Sequence, residues 1–279
     1  HPSLRNKMAN PDSNDDTCRT PVAAYLARAG FAQNNTATHE LAGDASDRRY
    51  VRVIPTEGSS FILLIHRAPI DPLALPFLNV ARLLQRISVP VPEVFGHEAD
   101  LGILILEDLG DVTLEASLLE ASPRQRSTRY AEAVSLLVHM QERAHEFASP
   151  EFVPFSLSFD VKKLISELDF FVQQFLIGHR RVSLSSTHRT DLAVQFAELS
   201  ETLATEPRVL CHRDYHSRNL MVHDSQLYVI DFQDARMGPN TYDLVSLLRD
   251  SYVDLEPDFV EQMIELFLKS TGSSDVDSF

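Results

Sequence analysis

Val209-Leu210-Cys211-His212-Arg213-Asp214-Tyr215-His216-Ser217-Arg218-Asn219-Leu220-Met221-Val222-His223-Asp224-Ser225-Gln226-Leu227-Tyr228-Val229-Ile230-Asp231-Phe232-Gln233-Asp234 is the stretch whose reading decides the fold. Two short apolar runs, Leu220 to Val222 and Leu227 to Ile230, are separated by the polar residues His223 to Gln226. Runs of that length bounded by turn formers predict a loop, a strand, a tight turn and a second strand. The first loop carries Asp214 and Asn219, and the second strand delivers Asp231 at its end.

Phosphoryl transfer from a nucleotide needs such a set. One carboxylate orients the acceptor hydroxyl and takes its proton, while further oxygen ligands hold Mg²⁺. His212-Arg213-Asp214, four spacer residues and Asn219, followed later by Asp231-Phe232, match the spacing of that chemistry. An isolated Asp in a loop is usually a turn residue or a cap, but three such groups at this spacing and in strand context do not fit that simpler account. Asp234 is open to two readings, as an addition to the site or as the cap of the following turn. Asp243 opens a helix, where the dipole alone accounts for it about as well as catalysis does. Cys211, His212, His216 and His223 invite a zinc reading. Histidines at i and i+4 converge only on a helix, however, and no second cysteine lies nearby. His212 is read instead as a loop-packing residue and His216 as a substrate-side group.

Outward from this stretch, the front third is sheet-like and the rest helical. Tyr50 to Ile54 alternates as a strand, Pro55 to Gly58 is a turn, and Phe61 to Ile65 is a buried strand. Val91 to Phe95 and Leu101 to Leu106 read as two more strands, the first confined to an edge by Pro92. A short helix over Pro21 to Ala29, closed by Gly30, precedes them. The helix Leu73 to Arg86 is set beside the sheet, with Pro76 tolerable only near its first turn. Gln125 to Ala144 places Tyr130, Val134, Leu137 and Met140 along one helical stripe. Helices over Val161 to Ile177, Asp191 to Leu203, Tyr242 to Asp250 and Phe259 to Lys269 follow. The division expected is a disordered segment 1–19, a nucleotide-binding lobe 20–108 and a catalytic lobe 109–279.

Composition narrows the partners. With 279 residues and a net charge of −15, the chain offers no basic run to offset phosphate repulsion, which argues against a nucleic-acid partner. Its 2 cysteines, Cys18 and Cys211, give no disulfide framework, as expected of a reducing cytoplasm. No apolar run is long enough to span a bilayer, and His1 to Asp16 lack the apolar core of a signal peptide. The chain opens on His1 rather than Met, which points to an added residue or an upstream truncation, with Met8 as an alternative start.

These motifs resemble the aminoglycoside phosphotransferase and choline kinase superfamily. The likeness is sharpest at His212 to Met221 and Ile230 to Ala235 and extends from about Leu41 to Tyr252. Within it, Gly43 to Tyr50, Leu104 to Asp111 and Gly238 to Asp250 resemble the bacterial anomeric kinases of N-acetylmuramate and N-acetylglucosamine that serve peptidoglycan recycling. The resemblance implies an α+β, bilobal protein-kinase-like fold, with a small β-rich N-lobe and a larger helical C-lobe. It implies ATP and Mg²⁺, Asp214 as catalytic base, and Asn219 and Asp231 as metal ligands. Gly43, Ala45, Ser46 and Arg48 would form the turn over the nucleotide phosphates, and Glu107 to Leu109 the hinge whose backbone meets adenine. Asp243 would buttress the catalytic loop.

Two departures stand out. The strand Phe61 to Ile65 lacks the lysine that meets the α- and β-phosphates, and the helix after it lacks the Glu that pairs with such a lysine. Either Arg48, Arg49 or Arg67 would supply the charge instead, or nucleotide binding would be weak. The tail Ser270 to Phe279 reads as a truncation or an altered frame beside relatives that continue with further helices. The expectation is an ATP-dependent kinase of an amino-sugar hydroxyl. The alternatives are another acceptor, an aminoglycoside or a choline-like alcohol, or a nucleotide-binding pseudokinase.

Overall fold

A computed structural model describes residues 15–31, 36–41 and 48–272. The chain divides into two compact units. One comprises the described residues up to Leu75 together with Pro92–Leu109. The other comprises Pro76–Val91 and the described residues from Gly110 onward.

The first unit holds a helix, α1 (Asp15–Arg28), and five strands: β1 (Thr36–Leu41), β2 (Arg49–Pro55), β3 (Phe61–Ile65), β4 (Val94–Glu98) and β5 (Ile103–Glu107). They form an antiparallel sheet in the order β1-β2-β3-β5-β4. All five residues of β3 are buried, as a central strand of Phe-Ile-Leu-Leu-Ile requires. Period-two alternation puts Val51, Val53, Phe61, Leu63 and Ile65 on one face, where they pack with Val22, Tyr25 and Leu26 of α1. β4 is an edge strand that starts only after Pro92, as its missing N–H dictates. β1 was not legible: Thr-Ala-Thr-His-Glu-Leu is almost wholly exposed and carries no apolar alternation. α1 begins at Asp15, not at the expected Pro21, so 15–19 are helical rather than disordered. The remainder of the segment expected to be disordered lies outside the described residues.

The second unit opens with α2 (Pro76–Arg86), whose start at Pro76 reflects the fit of proline to a first helical turn. Phe77 meets Phe232 with ring centroids 4.9 Å apart, and Asn79 bonds the backbone of Glu151 and Val153. Next come α3 (Leu114–Leu118) and α4 (Pro123–Ala144), the latter started by a capping box between Ser122 and Gln125. The expected α4 stripe of Tyr130, Val134, Leu137 and Met140 is buried throughout. The helix expected over Val161 to Ile177 is α-helical only as α5 (Val161–Phe171) and widens to a π-helix over Val172–His179. α6 (Ser186–Thr205) follows, capped by Ser185.

Four short strands then frame the decisive stretch. β6 (Arg208–Cys211) pairs with β9 (Arg236–Pro239), and β7 (Leu220–His223) forms a hairpin with β8 (Gln226–Val229). Asp224 and Ser225 make the two-residue turn, with φ of 46° and 65°. Left-handed values at both positions match the twist of the flanking strands. The β6–β9 pair packs so closely that a Cβ on Gly238 would lie 2.6 Å from Phe159 and 3.0 Å from the Cys211 sulfur. α7 (Tyr242–Leu248) and α8 (Pro257–Thr271) complete the unit.

Candidate active site

The loop from His212 to Asn219 joins β6 to β7 and is held from beneath by one carboxylate. Asp243, fully buried in the first turn of α7, accepts the His212 N–H at 2.6 Å on Oδ2 and the Arg213 N–H at 3.0 Å on Oδ1. Burial pushes the Asp243 carboxyl up to about 7, against the pull of those two N–H groups. This contact answers the question the sequence left open, since the carboxylate is spent on the loop backbone. His212 is equally buried. Its Nδ1 accepts the Asp214 N–H at 3.2 Å, which leaves the proton on Nε2 to be donated to the Ile230 carbonyl at 2.9 Å. Desolvation lowers its pKa to about 4, so the ring stays neutral and ties the Asp214 loop to the residue preceding Asp231.

Above this base the three expected residues are placed by short bonds. Asp214 is exposed. The Asn219 side-chain amide donates to the Asp214 backbone carbonyl at 2.9 Å, and the Ile230 N–H donates to the Asn219 carbonyl at 3.0 Å. Asn219 is thus linked both to Asp214 and to the strand end that presents Asp231. Asp231 adopts φ of 62° and accepts a 2.9 Å bond from the Gln233 side-chain amide on Oδ1. Arg213, immediately before Asp214, has φ of 88°. Left-handed backbone at an arginine stores strain, and the paired N–H bonds to Asp243 hold it there.

A second set of contacts, which the sequence reading missed, grips the outer side of the same loop. The Ser217 N–H donates to Asp250 Oδ2 at 2.9 Å, and the Tyr252 N–H donates to the other oxygen of Asp250. The Arg218 guanidinium lies 3.7 Å from the Tyr252 ring centroid and binds Glu115 through two bonds of 2.7 and 3.1 Å. His216 meets the same ring edge-on at 5.4 Å, and its Nε2 is 3.4 Å from the Asn219 amide. Asp250 and Glu115 lie 33 and 103 residues from their partners, so no local pattern announces them.

The remaining candidates resolve differently. Asp234 is over half exposed and faces the Arg213 guanidinium at 3.8 Å, with Glu167 on the other side of that guanidinium at 3.3 Å. The Cys211 thiol is buried against the Pro239 carbonyl at 3.3 Å, and burial raises its pKa well above the usual value. Among the described residues no three His, Cys, Asp or Glu side chains converge as a group that could hold a metal ion.

In the first unit, Gly43, Ala45 and Ser46 lie outside the described residues. Arg48 is half-buried, and its charge acts on His66, whose pKa is lowered by desolvation first and by Arg48 second. The Glu107 N–H donates to the Glu93 carbonyl at 2.8 Å, and its side chain accepts the Glu93 N–H at 3.0 Å. The hinge expectation at Glu107 therefore rests on its backbone carbonyl. Leu109 is buried, and Asp108 binds Arg52 of β2 at 2.8 and 2.9 Å with both side chains nearly buried.

Comparison with known proteins follows the same lines. The family model described as the phosphotransferase enzyme family matches residues 38–275. An N-acetylmuramate/N-acetylglucosamine kinase of Neisseria meningitidis is 34% identical over 225 residues, which are 80% of this chain and 64% of that protein. A protein of the same name from Caulobacter vibrioides is 26% identical, over 92% of this chain and 78% of that one. The chain thus spans less than two thirds of the Neisseria relative's length, and 59% of that of the Pseudomonas aeruginosa relative. Among solved structures, an aminoglycoside-3'-phosphotransferase of type VIII superposes with a TM-score of 0.61 at 16% identity, covering 94% of both chains. A gentamicin complex of a 2"-phosphotransferase gives a TM-score of 0.61 at 15% identity, over 96% of this chain and 83% of that one. These likenesses give the fold, the α+β protein-kinase-like class that the sequence implied. On the match across residues 38–275 and the identity to its curated relatives, the chain belongs to the phosphotransferase enzyme family.

Proposed function

We propose that this chain transfers the γ-phosphoryl group of ATP to the anomeric hydroxyl of N-acetylmuramate or N-acetylglucosamine. The observation that carries the reading is the linkage of an exposed Asp214 to Asn219, and of Asn219 to the strand end bearing Asp231. The names of the relatives at 34% and 31% identity supply the acceptor class.

Asp214 orients the acceptor hydroxyl toward the γ-phosphorus and accepts its proton as the new P–O bond forms. The bond from the γ-phosphorus to the bridging oxygen breaks in the same step, with ADP as the leaving group. The loop backbone is fixed beforehand, so most of the gain comes from positioning rather than from a strong base. The donor set also fits Mg²⁺. Asn219 turns its amide nitrogen to the Asp214 carbonyl, which leaves its side-chain oxygen as a hard ligand, and Asp231 adds a carboxylate. One amide and one carboxylate, completed by substrate phosphates, is the sparse oxygen set Mg²⁺ accepts. When bound, the ion supplies charge neutralisation at the transferring phosphates.

Release of ADP in the presence of Mg²⁺ and each sugar, measured for the wild type and Asp214→Asn, tests the reading. The expected result is sugar-dependent release that falls by about 10² to 10⁴ in the variant. Folded wild-type protein that releases no ADP with either sugar, or a variant with undiminished release, overturns it.

A further inference from the structure

We propose that Gln233 is a positioning residue of the Mg²⁺ site, whose side-chain N–H fixes the rotation of the Asp231 carboxylate. The inference rests on the reading of Asp231 as a metal ligand and adds to it a residue that acts through that ligand.

The backbone on both sides of Gln233 is pinned. Phe232 is fully buried against Phe77, and Ala235 is buried as well. The Ala235 N–H donates to the Phe232 carbonyl at 3.1 Å, closing a turn with Gln233 and Asp234 at its centre. Asp231 is held from its other side, since the Ile230 N–H bonds Asn219 and the Ile230 carbonyl accepts from His212. Its φ of 62° lies in the left-handed region. A carboxylate on so fixed a backbone can still turn about its own side-chain torsions. The 2.9 Å bond from Gln233 Nε2 to Asp231 Oδ1 opposes that turning. It uses one of the roughly four lone-pair sites of a carboxylate and does not neutralise its charge.

The other end of the same amide argues for a functional residue. Gln233 Oε1 is buried and has no hydrogen-bond partner among the described residues. The amide cannot be turned over to satisfy it, because the oxygen would then face the Asp231 carboxylate. A buried acceptor without a donor destabilises the fold, and an apolar side chain of similar size would avoid that cost. Gln233 thus breaks a packing rule at one end while orienting a metal ligand at the other, and such violations belong to functional sites.

Calorimetric titration of ADP, with Mg²⁺ and in EDTA, into the wild type, Gln233→Met and Gln233→Leu isolates this role. The wild type should bind ADP more tightly with Mg²⁺ present. In both variants that gain should shrink about tenfold or be lost, as for a lost bond to a charged group, while affinity in EDTA stays the same. Thermal midpoints should be unchanged or higher, because the orphaned oxygen is gone. A gain undiminished in the variants overturns the proposal. So do variants whose midpoint and EDTA affinity fall together, the signature of a merely structural residue. A wild type with no Mg²⁺-dependent gain removes the metal reading and this inference with it, so the two failures are distinguishable.

Discussion

The backbone N–H of His212 donates to Asp243 Oδ2 at 2.6 Å, joining the first turn of α7 to the loop that carries Asp214. Both partners are buried and both titrate away from their ordinary range, in opposite directions.

That opposition sets a pH dependence. His212 is pushed down to about 4, so unfolding lets it take up a proton below pH 6.5, and its contribution to stability is lost as pH falls from 6.5 toward 4. Asp243 is pushed up to about 7, so the native state holds a proton that the unfolded state releases above its model value of 3.8, and this contribution is lost as pH rises toward 7. Each slope is about 1.4 kcal/mol per pH unit, and the two cancel between pH 4 and 6.5. Asp243→Asn leaves the histidine alone. Between pH 6.5 and 4.5 the variant should lose about 3 kcal/mol more than the wild type, read from urea midpoints. Parallel profiles would contradict this account.

Removal of the Asp231 carboxylate should separate metal use from folding. Asp231→Ala is expected to reduce Mg²⁺-dependent turnover by at least about 10² while shifting the thermal midpoint by only a few degrees. Activity retained at normal Mg²⁺ concentration would mean that the ligand set is drawn wrongly.

The outer grip on the loop predicts a change in turnover. Asp250→Asn removes the charge that binds the Ser217 and Tyr252 N–H groups. Loss of this support should lower kcat about tenfold or more, since a small displacement of a positioned group is costly. Steady-state kinetics with varied sugar would show it, and an unchanged kcat would leave Asp250 a merely structural residue.

Gly238 tests the packing under the site. A methyl group there would press on Phe159 and on the Cys211 sulfur, one residue before His212. Gly238→Ala should cost about 1–3 kcal/mol, as overpacked cores do, and lower the thermal midpoint accordingly. A variant as stable as the wild type would show that the β6–β9 pair can open by several tenths of an ångström.

How much of this was legible in the chain follows from distance along it. Asp214, Asn219, the hairpin and Asp231 lie in one contiguous stretch, where turn chemistry and strand period can be read directly. The edge position of β4 was legible because Pro92 has no N–H to donate. β1 was not, since an edge strand exposed on both faces carries no alternation to detect. The pairing of β6 with β9 escaped for a different reason: the two strands are separated in sequence by the catalytic loop and the β7–β8 hairpin, and no local pattern encodes such a pairing. Glu115, Asp250 and Tyr252 meet the loop only after folding. Gly43, Ala45 and Ser46 fall outside the described residues, so their expected part in nucleotide binding stands as a proposal.

The two-residue turn at Asp224-Ser225 makes the hairpin a fixed ruler. Because side chains alternate with a period of two, one inserted residue would shift β8 by half a period and turn Leu227 and Val229 from the core to solvent. The Ile230 carbonyl would leave His212 and its N–H would leave Asn219, so that Asp231 would be misaimed although every chemical group was still present. Length, and not composition alone, therefore sets the aim of Asp231 at this turn.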